Sequence, residues 1–152
     1  MKTKIILFIF ILLIITLSFF INTTTLVNAI YINNDKEKEV IYALDSFKSD
    51  SYLECGNLKI IDKESVSNNL HMLSEKYLGE SLVVTNMSAK EFINQNKLKI
   101  VSHNYVCGIS VYDCYLWCLP KFVWLKNQKV NLQIAEISNN IKVGYPLILD
   151  SF

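Results

Sequence analysis

Three of the four cysteines of the chain lie within the segment 104–120, which reads NYVCGISVYDCYLWCLP. Cysteine thiols form disulfides, bind metal ions or act as nucleophiles, and a nearby histidine is relevant to the last two. The residues concerned are His103, Cys107, Cys114 and Cys118, and the fourth cysteine is Cys55. Each kind of chemistry needs a different arrangement of these side chains, so their spacing helps to separate the alternatives.

A zinc site is the first alternative, because His103, Cys107, Cys114 and Cys118 supply four soft ligands in order. Structural zinc sites usually place about two to four residues within each ligand pair and roughly a dozen or more between the pairs. Only six residues separate Cys107 from Cys114, and they have the composition of a strand. The spacing therefore argues against zinc, and we predict no metal ion.

A thiol enzyme is the second alternative, with Cys107 as nucleophile, His103 as base and Asp113 as the residue that orients the base. Such triads are recognised by geometry and not by proximity in sequence. The chain has no Cys-x-x-Cys pair, no Gly-x-Ser-x-Gly and no phosphate-binding loop. We predict no catalytic residue and no cofactor, and an exported thiol enzyme that uses Cys107 with His103 stays the alternative.

Structural sulfur is the preferred interpretation. If 109–118 is a strand, Cys114 and Cys118 share one face with Ser110, Tyr112 and Leu116, and lie roughly 13 Å apart at about 3.3 Å per residue. A disulfide needs Cα atoms within about 7 Å, so each would have to pair across the sheet. Four cysteines in a small exported domain favour one or two disulfides, or buried thiols, and the pairing stays open. The predicted disulfide cysteines are Cys55, Cys107, Cys114 and Cys118.

The second half of the chain, which carries the three clustered cysteines, is also rich in aromatic residues. On a strand, alternation sends some side chains outward, and exposed aromatic rings are common at binding surfaces. The pattern favours a non-enzymatic binding or scaffold protein with an unidentified envelope or extracellular partner. The aromatic residues concerned are Tyr105, Tyr112, Tyr115, Trp117, Phe122 and Trp124.

The N-terminus indicates the compartment. Lys2 and Lys4 precede an apolar run that extends from residue 5 to residue 21, and Val27 and Ala29 stand at positions −3 and −1 of a cleavage point. This order is typical of a secretory signal peptide. The run is about 17 residues, and a spanning helix needs roughly 20, so a single N-terminal membrane anchor is the alternative. We predict a signal peptide helix in 1–29, one domain in 30–152, and a secreted or extracytoplasmic protein of the cell envelope.

The charge of the predicted mature chain excludes one class of partner. Removing Lys2 and Lys4 from 15 basic residues leaves 13 against 14 acidic ones, and no arginine is present. Arginine is the residue that contacts guanine and phosphate with two hydrogen bonds. A near-neutral domain without arginine lacks the basic surface of nucleic-acid-binding proteins, so we predict no nucleic-acid partner.

Hydrophobic periodicity predicts an α+β domain with two main helices packed on an antiparallel sheet of about four to six strands. The first helix is predicted over 34–48 and the second over 62–79, with Gly79 as its end. A capping box at 88–91 predicts a short helix to about residue 94. The apolar faces are Val40, Ile41, Leu44 and Phe47 in the first helix, and Val66, Leu70, Leu73 and Tyr77 in the second.

The strands are predicted from β-branched and aromatic runs separated by turn-like segments. The strand segments are 57–61, 81–85, 97–102, 108–117, 121–125, 130–137 and 141–149. The segment 103–107 is predicted as a turn, and 121–137 as a β-hairpin with KNQK as its loop.

Two segments carry a resemblance to a known family. The first, 43–79, has a Glu-Cys-Gly turn and closes at Leu-Gly, and the second, 129–148, ends in the motif GYPLI. They resemble the opening and the terminal hairpin of the YwmB-like proteins, exported proteins of sporulating Gram-positive bacteria that are also described as TATA-box-binding-protein-like because of their fold. The resemblance implies an α+β fold and an extracytoplasmic setting. It implies no functional residue, because neither motif is catalytic.

Overall fold

The computed structural model describes residues 2–22, 25–32, 36–44, 53–62 and 76–150. Its helices are α1 Lys2–Asn22, α2 Leu26–Ala29 and α3 Ala89–Gln95. Its strands are β1 Lys36–Leu44, β2 Leu53–Cys55, β3 Leu58–Asp62, β4 Tyr77–Val84, β5 Lys99–Val106, β6 Ile109–Tyr115, β7 Val123–Leu125, β8 Gln128–Val130, β9 Leu132–Ile137 and β10 Asn140–Tyr145.

Eight of the described strands form one antiparallel sheet in the order β2-β3-β1-β4-β10-β9-β6-β5. Strands β7 and β8 form a separate hairpin. The predicted α+β class and antiparallel sheet are confirmed, with more strands than expected. One added strand, β1, comes from a segment that the sequence pattern assigned to helix, and another, β2, comes from a segment without a predicted strand.

The first face of the sheet carries the main hydrophobic core. Helix α3 and the segment around α2 pack there, against alternate residues of the central strands. Side chains that point to this face and are fully buried include Ile41, Leu82, Leu132, Ile134 and Ile141. Since each such side chain contributes about 1.5–3 kcal/mol when buried, this face holds most of the apolar stabilisation of the domain.

The short helix α3 confirms the helix that the sequence predicts after the capping box. Ser88 is its N-cap, with extended backbone, and its side-chain oxygen accepts a hydrogen bond from the Glu91 backbone N–H at 3.2 Å. Ala89, Phe92 and Ile93 are buried at the i, i+3 and i+4 spacing of one helical face. The capping box therefore starts the helix and its apolar face docks it on the sheet.

The second face of the sheet is covered by the chain after β10. The segment 146–150 folds back over Gly144, where an added Cβ would lie 2.5 Å from the Ile148 backbone nitrogen. Ile148 packs with Val111 and Ala135 in a smaller apolar cluster. The segment is also held by polar contacts at Asp150, whose carboxylate lies 2.7 Å from the Lys142 ammonium and accepts a hydrogen bond from the Tyr42 hydroxyl.

The predicted first helix is wrong. Residues 36–44 form the strand β1, and the rest of the predicted helix lies outside the described residues. Val40, Ile41 and Tyr42 are consecutive and all buried, because β1 lies between β3 and β4 and is covered on both faces. A continuous apolar run of this kind suits a strand buried on both faces as well as a helix, so periodicity alone does not separate the two.

The end of the predicted second helix is also a strand. Tyr77 and Gly79 lie in β4, and most of that prediction, 63–75, falls outside the described residues. Gly79 does not end a helix. It lets two strands approach closely, since an added Cβ would lie 2.1 Å from the Tyr145 carbonyl oxygen.

The later strands overlap the predicted segments, but several bounds are corrected. The predicted strand 108–117 ends at Tyr115, with Trp117 and Cys118 in a turn, and the predicted strand 141–149 ends at Tyr145. The predicted hairpin 121–137 is limited to β7 and β8, because β9 pairs within the main sheet instead. The predicted turn 103–107 belongs mostly to β5, and the chain reverses instead at Cys107 and Gly108, whose φ values are 51° and 82°. The predicted loop KNQK contracts to a two-residue turn, Lys126 and Asn127, with φ values of 48° and 62°. Both are turns in which both central residues have positive φ, the type that matches the twist of paired strands.

The N-terminal segment combines an exposed helix with a buried one. The described side chains of α1, from Ile6 to Leu17, are exposed. Thr25 and Leu26 in contrast are buried, and the Leu26 backbone N–H donates a hydrogen bond to the buried Glu80 carboxylate. Within the described residues, no helix meets the length and hydropathy needed to span a membrane. The predicted cleavage after Ala29 remains a prediction, and Leu26, which precedes that point, belongs to the core.

Candidate functional site

Three exposed aromatic side chains of the second half of the domain lie on and beside the β7–β8 hairpin. Trp117 is 79% exposed, Trp124 65% and Phe122 38%. Together with Lys129, they are called the aromatic surface here. Exposed rings of this size are rare on a soluble domain unless the surface binds something, so this surface is the candidate site.

Asn131 fixes the turn that carries Trp117. Its fully buried side chain accepts a hydrogen bond from the Leu116 backbone N–H at 2.7 Å, and donates to the Leu116 carbonyl at 2.7 Å and to the Leu119 carbonyl at 3.0 Å. These three bonds replace the backbone partners that residues in a turn lose when they are buried. Because Asn131 directly follows β8, they tie the turn of Trp117 to the base of the hairpin.

A second anchor holds the chain at Lys121, between that turn and β7. The Lys121 backbone N–H donates to the Tyr145 hydroxyl at 2.9 Å, and its ammonium donates to the Tyr77 carbonyl at 2.5 Å. The ammonium also lies 4.3 Å from the centre of the Tyr77 ring. Burial lowers the pKa of Lys121 and raises the pKa of Tyr77, which the nearby Glu80 raises further. The segment that leads into the hairpin is therefore attached to the core.

The register of the hairpin creates the aromatic surface. Trp124 pairs with Lys129, and Val123 pairs with Val130 on the opposite face. Val130 is buried, so the face that carries Trp124 points outward. The ring centres of Phe122 and Trp124 lie 5.7 Å apart and nearly perpendicular, at 88°. Edge-to-face pairs of this kind are favourable by about 0.5–1.5 kcal/mol, which orders the two rings at the surface.

A lysine completes the surface. The Lys129 ammonium lies 4.1 Å from the centre of the Phe122 ring and 5.7 Å from that of Trp124. Attraction between an ammonium and ring faces is worth about 0.5–1 kcal/mol at an exposed site. Lys126, in the turn of the same hairpin, is also exposed, and the sequence contains no acidic residue between Asp113 and Glu136. The surface is therefore both aromatic and locally positive.

The cysteines do not converge on a common site. Cys107 is exposed in the β5–β6 turn, Cys114 is buried, Cys118 is half-buried, and all three are free thiols in the structure. The side chain of Cys55 lies outside the described residues, so the predicted disulfides stay a prediction. Burial raises the pKa of Cys114 to about 12, with a smaller contribution from the Asp113 charge, and also raises the pKa of Cys118. The predicted alternation of β6 is confirmed, since Tyr112, Cys114, Leu116 and Cys118 all pack on the first face.

His103 is engaged with β6 and not with a thiol. Its ring stacks on Tyr112 with centres 4.2 Å apart, and its Nε2 forms a 2.6 Å hydrogen bond with the Ser110 hydroxyl. Asp113, the predicted orienting residue, follows Tyr112 and so points to the opposite face of the sheet. There it accepts hydrogen bonds from Ser102 at 2.5 Å and from Gln133 at 3.0 Å. The proposed triad is therefore not assembled by the sheet.

Among the described residues, no group of three or more His, Cys, Asp or Glu side chains is placed to hold a metal ion. The proposed zinc ligands His103 and Cys114 both lie on the first face, but Cys114 is enclosed in the core while His103 is exposed beyond it. Cys107 occupies the turn at the far end of β6. Cys118 is half-buried against the same core as Cys114, so these two share an environment that His103 and Cys107 do not.

The six aromatic residues singled out in the sequence divide into two sets. Tyr112 is buried, Tyr115 is half-buried, and Tyr105 is exposed beside His103 near the β5–β6 turn. The other three form the aromatic surface. The sequence did not indicate Lys129, which contacts the exposed rings, or Asn131, which holds the turn of Trp117. Placing the turn at Lys126 and Asn127 would have paired Trp124 with Lys129 directly.

Comparison with known proteins adds no relative: no family model, no curated protein and no solved structure matches the chain.

Proposed function

We propose that the chain is an exported, non-enzymatic binding protein of the cell envelope, and that the aromatic surface contacts its partner. The observation that carries the proposal is the exposure of Trp117, Phe122 and Trp124 on a hairpin held to the core. Leaving such rings in water forgoes the stabilisation of about 1.5–3 kcal/mol that burying a large apolar side chain gives. Binding offers a physical reason for retaining them, since aromatic residues dominate the energy of many interfaces.

The rigidity of the surface supports the proposal. Binding costs less when the contacting side chains are already ordered, because less conformational entropy is lost. Asn131 ties the turn of Trp117 to the hairpin, and the ring pair of Phe122 and Trp124 is braced by Lys129. These contacts hold the rings in place before a partner arrives.

The export part of the proposal comes from the sequence. The positive N-terminus, the apolar run and the small residues at Val27 and Ala29 support secretion, and the resemblance to the YwmB-like proteins points to the same setting. The alternative is a single N-terminal membrane anchor. Sequencing the N-terminus of the protein from secreted and membrane fractions distinguishes the two, since recovery of Met1 in the membrane fraction alone would refute secretion.

The binding part is tested with alanine variants of the purified protein. We expect Trp117→Ala, Phe122→Ala and Trp124→Ala, combined, to abolish retention of the protein on isolated envelope or extracellular material. Tyr105→Ala is the matched control, because Tyr105 is an equally exposed aromatic residue near the opposite end of β5. Melting temperatures must stay close to that of the wild type. Equal retention of the triple variant and the wild type would refute the proposal.

A further inference from the structure

The charge around the aromatic surface distinguishes it from the rest of the domain. Over the whole chain acidic and basic residues nearly balance, with 14 and 15. Between residues 114 and 135 there are three lysines, Lys121, Lys126 and Lys129, and no acid. Lys121 is half-buried against Tyr77, which leaves Lys126 and Lys129 exposed on the hairpin itself.

The shape of the surface narrows the class of partner. Trp117, Phe122 and Trp124 stand on a turn and a two-stranded hairpin, and not at the bottom of a cleft. A small ligand needs a concave site that surrounds it. The exposed rings of Phe122 and Trp124, with the Lys129 ammonium against them, suit a partner that is broad, negatively charged at its surface and apolar just beneath it.

An anionic lipid bilayer has these properties. Tryptophan is enriched at the boundary between head groups and acyl chains, where its ring is in an apolar layer and its N–H reaches a polar one. Lysine side chains near an anionic bilayer each contribute about 1 kcal/mol, through attraction to the negative surface. The combination of exposed aromatic rings and lysines is the same as on membrane-surface segments of peripheral proteins.

The N-terminal part of the domain lies near the residues that attach the β7–β8 hairpin to the core. Leu26, which follows α1 closely, donates its backbone N–H to Glu80. Glu80 pairs with Tyr145 across β4 and β10 and lies three residues after Tyr77 in β4, and these two tyrosines hold Lys121 at the start of the hairpin. The chain that emerges from the apolar helix thus enters the domain near the base of the aromatic surface.

We propose that the partner of the aromatic surface is an anionic lipid bilayer, with Trp117 and Trp124 inserted at the level of the head groups and with Lys126 and Lys129 at the lipid phosphates. This inference rests on the proposed function, because it names the partner of the same surface. A glycan or a protein on the same surface is the competing outcome.

The two tryptophans allow a local test on the full chain. Trp117 and Trp124 are the only tryptophans, so intrinsic fluorescence reports from this surface even if α1 itself carries the protein to vesicles. The protein is mixed with vesicles of phosphatidylcholine alone, and with vesicles that also contain phosphatidylglycerol. We expect a shift of the emission to shorter wavelength, and quenching by brominated acyl chains, with the anionic vesicles only. Raising the salt from about 0.1 M to about 1 M should reverse both changes, because the screening length falls from about 10 Å to about 3 Å.

Lysine variants test the electrostatic part. Lys126→Gln with Lys129→Gln should weaken the lipid contact by up to about 25-fold, since each lysine contributes a factor of about five. Lys90→Gln, an exposed lysine on α3, is the control and should leave the quenching unchanged. Quenching that is equal on neutral and anionic vesicles, or insensitive to the two lysines, would overturn the anionic character of the partner.

The test separates this inference from the proposed function. If the protein sediments with vesicles while the tryptophan emission stays unshifted and unquenched, the aromatic surface does not touch lipid and the inference is wrong. The proposed function would still hold if the triple aromatic variant lost retention on envelope material depleted of lipid. Failure of both experiments would refute both statements.

Discussion

Replacing Leu26 by alanine tests whether the segment after the apolar helix belongs to the folded domain. Leu26 is 1% exposed and packs in the main core, although it precedes the predicted cleavage point after Ala29. Removing a fully buried leucine side chain costs about 2–5 kcal/mol, through lost burial and the cavity left behind. For a domain of this size about 1 kcal/mol lowers Tm by roughly 4 °C, so we expect a decrease of roughly 8–20 °C.

The assay is thermal unfolding followed by circular dichroism, on protein whose N-terminus is shown by mass spectrometry to precede Thr25. Leu17→Ala is the control, because Leu17 has the same side chain but lies exposed in α1. We expect that variant to change stability by less than about 0.5 kcal/mol. Equal Tm values for Leu26→Ala and Leu17→Ala would refute the placement of Leu26 in the core.

The remaining predictions concern individual contacts. Asn131→Ala removes three hydrogen bonds and should lower the free energy of unfolding by about 2–4 kcal/mol in urea titration; a loss below about 1 kcal/mol would contradict the role given to Asn131. Iodoacetamide at neutral pH should label Cys107 and spare Cys114 until the protein is unfolded, and labelling at equal rates would contradict the burial of Cys114. Burial raises the pKa of Cys114 to about 12, so the unfolded chain loses this proton at lower pH than the folded protein does. The burial of the neutral thiol therefore stabilises the fold fully below pH about 8.5, and the free energy of unfolding should fall as the pH rises from there toward 12. Asp150→Ala removes a carboxylate that contacts both the Lys142 ammonium and the Tyr42 hydroxyl, and should lower the free energy of unfolding by about 1–3 kcal/mol; adding Lys142→Met should recover part of that loss, and no recovery in the double variant would argue against coupling of the pair.

The second half of the chain was predictable because its strands alternate. In β6 the residues Tyr112 and Cys114 point to the core and Val111 and Asp113 to the other face, as expected for a period of two. The capping box at Ser88 was equally informative, because it depends on contacts within four residues of sequence. Local signals of this kind do not require knowledge of the tertiary structure.

The first half was mispredicted where tertiary contacts override local pattern. The run from Val40 to Ala43 is buried throughout, so it has no alternation to mark it as a strand. Only its position between β3 and β4 decides its conformation, and that pairing joins residues distant in sequence. Gly79 likewise looks like a helix end, although it is needed where β4 passes close to the Tyr145 carbonyl.

The candidate site was predictable in composition but not in geometry. Strand alternation predicts that some of the aromatic rings are exposed, but the exposure of Trp117 comes from a turn after β6, and the role of Asn131 comes from its contacts with that turn. Lys129 pairs with Trp124 only because the hairpin turns within two residues. A single residue of shift in that turn would move Lys129 to the opposite face, since register errors of one exchange the faces of a strand.

The positions of the cysteines and of the exposed rings support a binding surface over a thiol active site in the segment 104–120. A reactive thiol needs an exposed position and a base or a positive charge beside it. Cys107 has the exposure, but the nearest histidine is held by Ser110 and Tyr112, and the buried Cys114 is kept in its neutral form. The positive charge lies instead with Lys126 and Lys129, next to aromatic rings that carry no nucleophile. Exposed aromatic rings and exposed lysines lie together on the hairpin, whereas Cys107 lies in the β5–β6 turn and Cys114 in the core. This arrangement supports the proposal of a binding surface over that of a thiol enzyme.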